Sequence, residues 1–447
     1  MDDQQRPGGK SALIDPSRRG FFRKSAGIAA GSAAILAALN DGAKAAGESI
    51  PVGQATPLTS TYAAADGKEF QRGLQLACEE INALGGILGR PLEPVFEDTK
   101  DMGDDVIAQS IQRLIDRHNV HAIINGYNVG TGTAELDPVA DAGIVLMHYN
   151  TVIAHNQMVK SNPDRYFGCF QGDPPEYWYG PGLLTYLDVL KSSGQYKPAN
   201  DKIAIITGPG TYSSNIANAI KDKAGEHGWK VSLFESVNVP ISQWGPTLAK
   251  IRQDPPALIA ITHFFPADLA QFMLQFVPDP TPSLIYMQYG PSLAAFREIG
   301  KEATNGVLYS TVVAALQDDI GLDFEKRYKA KFGPDASHLS GCQPYDGCYI
   351  WALSAALAGG TGGPGEAEQN KKVAARMRAL IYRGVNGTSR FIPNEQSVYT
   401  YPTQVKDSSL GMPHQYLQIQ DHTKTPVLIA PAPYNTGEFK LPPWIKS

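Results

Sequence analysis

Gly67-Lys-Glu-Phe-Gln-Arg-Gly-Leu-Gln-Leu-Ala-Cys-Glu-Glu-Ile-Asn-Ala-Leu-Gly-Gly-Ile-Leu-Gly-Arg-Pro-Leu-Glu-Pro94 is the stretch on which the fold turns. Phe70, Leu74, Ala77, Ile81 and Leu84 recur at steps of three and four, the spacing that lines one face of a helix. Gly85-Gly86 stops that helix, since glycine favours the left-handed backbone that ends one. Pro91 to Glu97 then reads as a strand. A helix running into a strand after a short glycine turn is half of a βαβ unit.

The same rhythm continues outward. Ile107, Ile111, Leu114 and Ile115 mark a second helix, and His121 to Ile124 and Ile144 to Met147 read as buried strands. After an aromatic stretch, Tyr166 to Tyr179, the cycle restarts at Ile203 to Thr207. Its helix carries Ile216, Ile220 and Ala224. Val231 to Phe234 and Leu258 to Thr262 are later strands, and 267–277 is a later helix. Strands alternating with helices of this length imply parallel sheets, and the count is too large for one short sheet. The expected fold class is α/β: two Rossmann-like lobes with parallel sheets, joined by a three-stranded hinge. After Ser310 come three helical patterns, 321–332, 345–358 and 366–383. The tail from 391 is rich in Pro and Tyr and holds two strand-like pieces, Gln415 to Ile419 and Val427 to Ile429. The expected division is 46–170 plus 310–390 for lobe I and 171–309 plus 391–447 for lobe II, with crossings near 170, 310 and 390. No short-period repeat or low-complexity tract interrupts residues 46–447.

A chain of 447 residues exceeds one ordinary domain of roughly 100–200 residues. Hydrophobic residues, 43% of the chain, suffice for real cores, and the net charge of −5 lacks the basic face that nucleic-acid binding needs. Residues 1–45 read as a signal peptide: a charged block around Arg18-Arg19-Gly20-Phe21-Phe22, an Ala-rich apolar stretch from Ser25 to Leu39, and the small-x-small site Ala43-Lys44-Ala45. The twin arginines point to the twin-arginine translocase as the export partner and to a periplasmic destination. The apolar stretch is short for a membrane span of about 20 residues. Residues 1–45 hold seven of the 39 Lys/Arg and four of the 44 Asp/Glu, so the balance without them is −8. The first cysteine is Cys78, which leaves no lipid-attachment site behind the apolar stretch. An oxidising compartment permits disulfides among Cys78, Cys169, Cys342 and Cys348, in any of three pairings. The chain shows no Cys-x-x-Cys and no closely spaced His pair, so no metal is expected.

The sequence also lacks G-x-S-x-G, H-E-x-x-H and a P-loop, and no cofactor is expected. Gly126-Tyr-Asn-Val-Gly130-Thr-Gly132 departs from G-x-G-x-x-G. It follows a strand and reads as the opening of a helix, where N–H groups and hydroxyls suit an acceptor-rich ligand group. Three more loops at strand carboxyl ends carry similar residues: His148-Tyr149-Asn150-Thr151, Gly208 to Ser213, and His263-Phe264-Phe265. Ligands of open α/β sheets bind beyond the carboxyl ends of the strands. The expected ligand-binding residues are therefore Tyr127, Gly130, Thr131, Tyr149, Asn150, Thr151, Tyr212, His263 and Phe264, with no catalytic residue among them.

The opening helix with Glu79-Glu80-Ile81-Asn82-Ala83 and Gly85-Gly86, the turn Gly89-Arg90-Pro91, Asp98-Thr99 after the second strand, and Tyr345-Asp346 opening a late helix together resemble type I periplasmic binding proteins. That family includes the leucine/isoleucine/valine-binding and urea/short-amide-binding groups, and the long tail is similar to the latter. The resemblance runs over nearly all of residues 46–447. It implies a non-enzymatic solute-binding protein that closes two lobes on a small polar molecule and hands it to the permease and ATPase subunits of an ABC importer. It places Thr131 on the ligand carboxylate or amide, Tyr149, Asn150 and Thr151 on the second loop of the same lobe, and Tyr212 opposite them. Amino-acid binders carry an acidic residue near Pro266 for the ligand ammonium. Here Ala267 stands nearest and Asp268 one residue later, which with His263, Phe264 and Phe265 suggests a flatter or less cationic solute. Urea, a short amide, an amino acid and an organic acid all stay open. Two other classes compete: a periplasmic sensor acting through a partner protein, and an exported enzyme.

Overall fold

The computed structural model describes residues 47–446, so the expected signal peptide lies outside the described residues. The stretch quoted first forms the helix Ala64–Ala83, with Phe70, Leu74, Ala77 and Ile81 buried. Gly85 and Gly86 follow it with φ of 103° and 69°. At Gly86 a Cβ would stand 2.0 Å from the Arg90 carbonyl oxygen, so both backbone angle and space demand glycine here.

Five strands make the first sheet: β1 (Ile50–Thr56), β2 (Leu92–Asp98), β3 (Ala122–Ile124), β4 (Val145–His148) and β5 (Cys169–Gln171). They are parallel, in the order β2-β1-β3-β4-β5. The second sheet holds β6 (Lys202–Thr207), β7 (Lys230–Ser236), β8 (Leu258–Ile261), β9 (Leu284–Gln288) and β10 (Leu308–Thr311), also parallel. A hairpin of β11 (Ile381–Gly384) with β12 (Gly387–Arg390) and a short pair, β13 (Thr400–Tyr401) with β14 (Met412–Pro413), come next. Then β15 (Gln415–Gln418) and β16 (Val427–Ala430) extend the second sheet antiparallel, giving β16-β15-β10-β9-β8-β6-β7.

Alternation along each strand divides the cores. Ile203 and Ile205 of β6 enter one cluster while Ala204 and Ile206 enter another on the opposite face. Leu258 and Ala260 separate from Ile259 and Ile261 in the same way. In the first sheet Ala122 and Ile124 feed the first cluster, and Ile123 a third. The first cluster is thus common to both sheets. Each fully buried Ile or Leu contributes about 1.5–3 kcal/mol, so this shared core ties the two layers together.

The chain passes between the layers three times: after β5, after β10, and before β15. After β10 it forms the helices Asp319–Phe332, Cys342–Leu357 and Ala367–Ala379. The first two of these pack on the Ala64–Ala83 helix.

Three expectations change. The helix expected over 366–383 ends at Ala379, and Ile381–Gly384 is a strand. Its hairpin turn is held by Asp346, whose two carboxylate oxygens accept the Val385 and Asn386 N–H groups at 2.9 and 2.8 Å. A helix would forfeit both bonds. Second, the Gly126–Gly132 loop does not open a helix, because the next one is Leu136–Ala142 and the intervening turn uses Gly130 and Gly132 at φ 28° and 76°. Third, residues 391–398, expected with lobe II, lie on the first sheet. Gln171 N–H donates to the Gln396 carbonyl at 2.9 Å, and Asn156 Nδ2 to Ser397 Oγ at 2.8 Å. All four cysteines are buried free thiols.

Candidate ligand-binding site

The strand orders reverse between β1 and β3 in the first sheet and between β6 and β8 in the second. At such a switch point neighbouring loops part in opposite directions and leave a crevice at the strand ends. Both crevices open on one cavity of about 630 Å³. From the first sheet it receives Tyr62 after β1, Tyr127 and Val129 after β3, and Asn150 and Thr151 after β4. From the second it receives Tyr212 after β6, Phe264 and Phe265 after β8, Tyr289 after β9 and Val313 after β10.

Most polar groups in this wall already bond to the protein. Asn150 Oδ1 accepts the Asn128 N–H at 2.7 Å, and its Nδ2 donates to the Gly132 carbonyl at 2.8 Å and Glu135 Oε2 at 3.0 Å. Thr151, at φ 56°, donates its hydroxyl to the buried Asp173. The Tyr127 hydroxyl donates to Asp66. Tyr212 Oη accepts Gln288 Nε2 at 2.9 Å, and Tyr179 Oη accepts the Val312 N–H at 3.1 Å. Burial raises the Asp66 carboxyl above the ordinary range, against hydrogen bonds from Tyr127, Ser340 and Tyr289. Neighbouring Glu69 is pushed up to about 7, mainly by burial.

Of the nine residues expected from sequence, Tyr127, Asn150, Thr151, Tyr212 and Phe264 line the cavity. Four stand elsewhere. Thr131 donates its backbone N–H to Asp104 Oδ1 at 2.8 Å, and Gly130 packs beside the same carboxylate. The Tyr149 ring is 1% exposed and lies over Gly172. His263 is buried behind the wall with Nε2 2.9 Å from Asp268 Oδ2. Burial depresses its pKa, against the opposing pull of that carboxylate.

A profile of periplasmic binding proteins matches residues 49–406. The chain belongs to that family. A crystal structure from Silicibacter pomeroyi, provisionally named a branched-chain amino acid ABC transporter, is 57% identical, with a TM-score of 0.87 over 89% of this chain and all of that one. A Leu/Ile/Val-binding protein homolog of Brucella abortus is 27% identical over 207 residues. That match covers 46% of this chain and 51% of the relative, so the chain spans about half the length of the curated relatives it matches. The substrate-binding protein of a Streptococcus pneumoniae branched-chain amino acid transporter, solved with isoleucine, aligns at 17% identity with a TM-score of 0.64 over 86% of this chain and all of that one. At that identity the likeness is one of fold. The type I periplasmic binding protein fold expected from the opening helix is thus the fold observed.

In this periplasmic binding protein the cavity is also lined by Tyr62, Asp66, Tyr179 and Tyr289, which the sequence reading passed over, and by Phe265 and Asp268, which it named without counting them among the ligand-binding residues. Tyr62 and Tyr289 follow strands at their carboxyl ends and obey the same loop rule as the residues that were found. Asp66 carries no such signal, because it lies inside the helix Ala64–Ala83. Tyr289, at φ 53°, and Asp66 line the cavity together, so the second sheet's loop faces the first sheet's opening helix there.

Proposed function

We propose that this protein captures a solute in the cavity between its two sheets and delivers it to the permease and ATPase subunits of an ABC importer. The observation that carries this reading is the two-sided wall. Loops from both switch points meet at one cavity, so a bound solute touches both layers and favours the arrangement in which they are close. Family membership supports binding without turnover as the activity. The lining shifts the expected solute from small and polar toward one with apolar bulk, because seven of its residues are aromatic: Tyr62, Tyr127, Tyr179, Tyr212, Phe264, Phe265 and Tyr289.

The periplasm is the proposed location, reached through the twin-arginine translocase. Replacing Arg18 and Arg19 with lysine should hold the precursor in the cytoplasm, whereas unchanged periplasmic yield would refute that route. For the binding role the test is a thermal-shift screen of amines, amides, amino acids and organic acids on residues 46–447. A solute at 100 times its dissociation constant stabilises the fold by about 2.7 kcal/mol, a readily visible shift. Small-angle scattering should then show a smaller radius of gyration with that solute. A screen with no hit, or a radius unchanged at saturation, would count against capture by closure.

A further inference from the structure

Building on the solute-binding reading, we propose that the cavity selects an apolar amine, held as its ammonium ion, over solutes that carry a carboxylate. The family's amino-acid binders need two fittings, donors for a carboxylate and an acceptor for an ammonium, and here the two have diverged.

The carboxylate side is closed off. Among the described residues no lysine, arginine or histidine lines the cavity. Thr151, whose hydroxyl would serve a carboxylate, has turned it to Asp173. Both amide hydrogens of Asn150 are spent, on the Gly132 carbonyl and on Glu135. Thr131, which the resemblance placed on the ligand carboxylate or amide, stands off the cavity wall, with its N–H donating to Asp104 and its hydroxyl 3.4 Å from that of Thr133. The Tyr62 hydroxyl donates to the Asp101 carbonyl at 3.1 Å, away from the cavity. A carboxylate entering here would shed its water and find few donors, a heavy desolvation cost.

The ammonium side is open. Asp268 lines the cavity from the first turn of the helix Pro266–Phe276. Among the described residues both hydrogen bonds to its carboxylate fall on Oδ2, from the Ile241 N–H at 2.8 Å and His263 Nε2 at 2.9 Å. Oδ1 is left to accept from a ligand. The Ile241 N–H and the buried His263 ring hold Asp268 from the protein side. The rings of Tyr212, Phe264 and Phe265 line the same cavity as this carboxylate, with Tyr212 and Phe264 edge to face at 5.6 Å. Aromatic faces beside a carboxylate attract a cation through their quadrupoles while accepting its hydrocarbon part. The sequence suggestion of a less cationic solute rested on Asp268 standing one residue from the family's acidic position, and the structure nonetheless brings that side chain to the wall.

Calorimetric titration of residues 46–447 with four probes tests this: 2-phenylethylamine, 2-phenylethanol, phenylacetate and isoleucine. The amine should bind at least roughly tenfold tighter than each of the others. Asp268→Asn should shrink the amine–alcohol gap about tenfold. Phe264→Leu, which keeps apolar bulk and loses the ring, should narrow it too and guards against misfolding of the first variant. Isoleucine or phenylacetate binding tighter than the amine overturns the charge preference and leaves solute capture standing. An amine that gives no heat overturns it as well, and the wider thermal-shift screen then reports separately on whether the cavity takes any solute.

Discussion

Tyr149 shows how far one residue could be placed from the sequence. It follows β4, and a loop tyrosine at a strand's carboxyl end reads as a ligand contact. Strand parity gives the other answer: Val145, Met147 and Tyr149 share a face and join one buried cluster. Its hydroxyl is buried with no hydrogen-bond partner among the described residues. Tyr149→Ala should therefore cost about 3–5 kcal/mol and lower the melting temperature of the solute-free protein. Tyr149→Phe should melt like the parent, since no bond is lost. An alanine variant that melts normally would return Tyr149 to the site. Asp173 offers a second test. Burial pushes its carboxyl up to about 8, above the ordinary aspartate near 4 that the unfolded chain keeps. A raised carboxyl stabilises most below the unfolded pKa, and that contribution is lost as pH rises through the folded one. An amide in its place does not titrate, so the melting temperature of Asp173→Asn should gain on the parent from pH 5 to pH 8. A difference independent of pH would show that Asp173 is not buried as a neutral acid. The sequence reading did not single out Asp173, because nothing local reports desolvation.

The elements were more legible than the residues that finish them. The helix Ala64–Ala83 and the strand after it were read from periodicity and Gly85-Gly86, because a glycine stop and a three-four spacing are local signals. The hairpin Ile381–Arg390 was not, because what ends the preceding helix is the distant Asp346 carboxylate, an interaction across about forty residues of chain. Close helix contact is equally silent in sequence. Gly73 reads as an ordinary helical position, yet a Cβ there would lie 2.0 Å from the Gly341 carbonyl oxygen. That contact seats the opening helix beside Cys342–Leu357, where the Tyr345 and Tyr349 hydroxyls donate to Glu80 at 2.6 and 3.0 Å. Gly73→Ala should destabilise by about 1–3 kcal/mol as the two backbones are forced apart, measured by urea denaturation. An unchanged midpoint would mean that the helices separate freely.

At the scale of the molecule, two parallel sheets were readable because the strand-helix cycle visibly restarts at Ile203. The switch points follow from strand order, which sequence does not give, and they bring Tyr62 and Tyr127 opposite Tyr212 and Phe264. The return of the chain was expected near 390, but not the stay of residues 391–398 on the first sheet, where Gln396 spends its side chain on the Tyr166 and Cys169 carbonyls far back in the sequence. The central claim is that solute binds in the cavity between the layers. Ala267 sits on its wall with little side chain, so tryptophan there fills the space from one side. Calorimetric titration of Ala267→Trp beside the parent, with the tightest solute from the screen, tests the claim most directly. Affinity should fall on the order of a hundredfold, with the solute-free melting temperature unchanged. Parental affinity in a folded Ala267→Trp protein would contradict it.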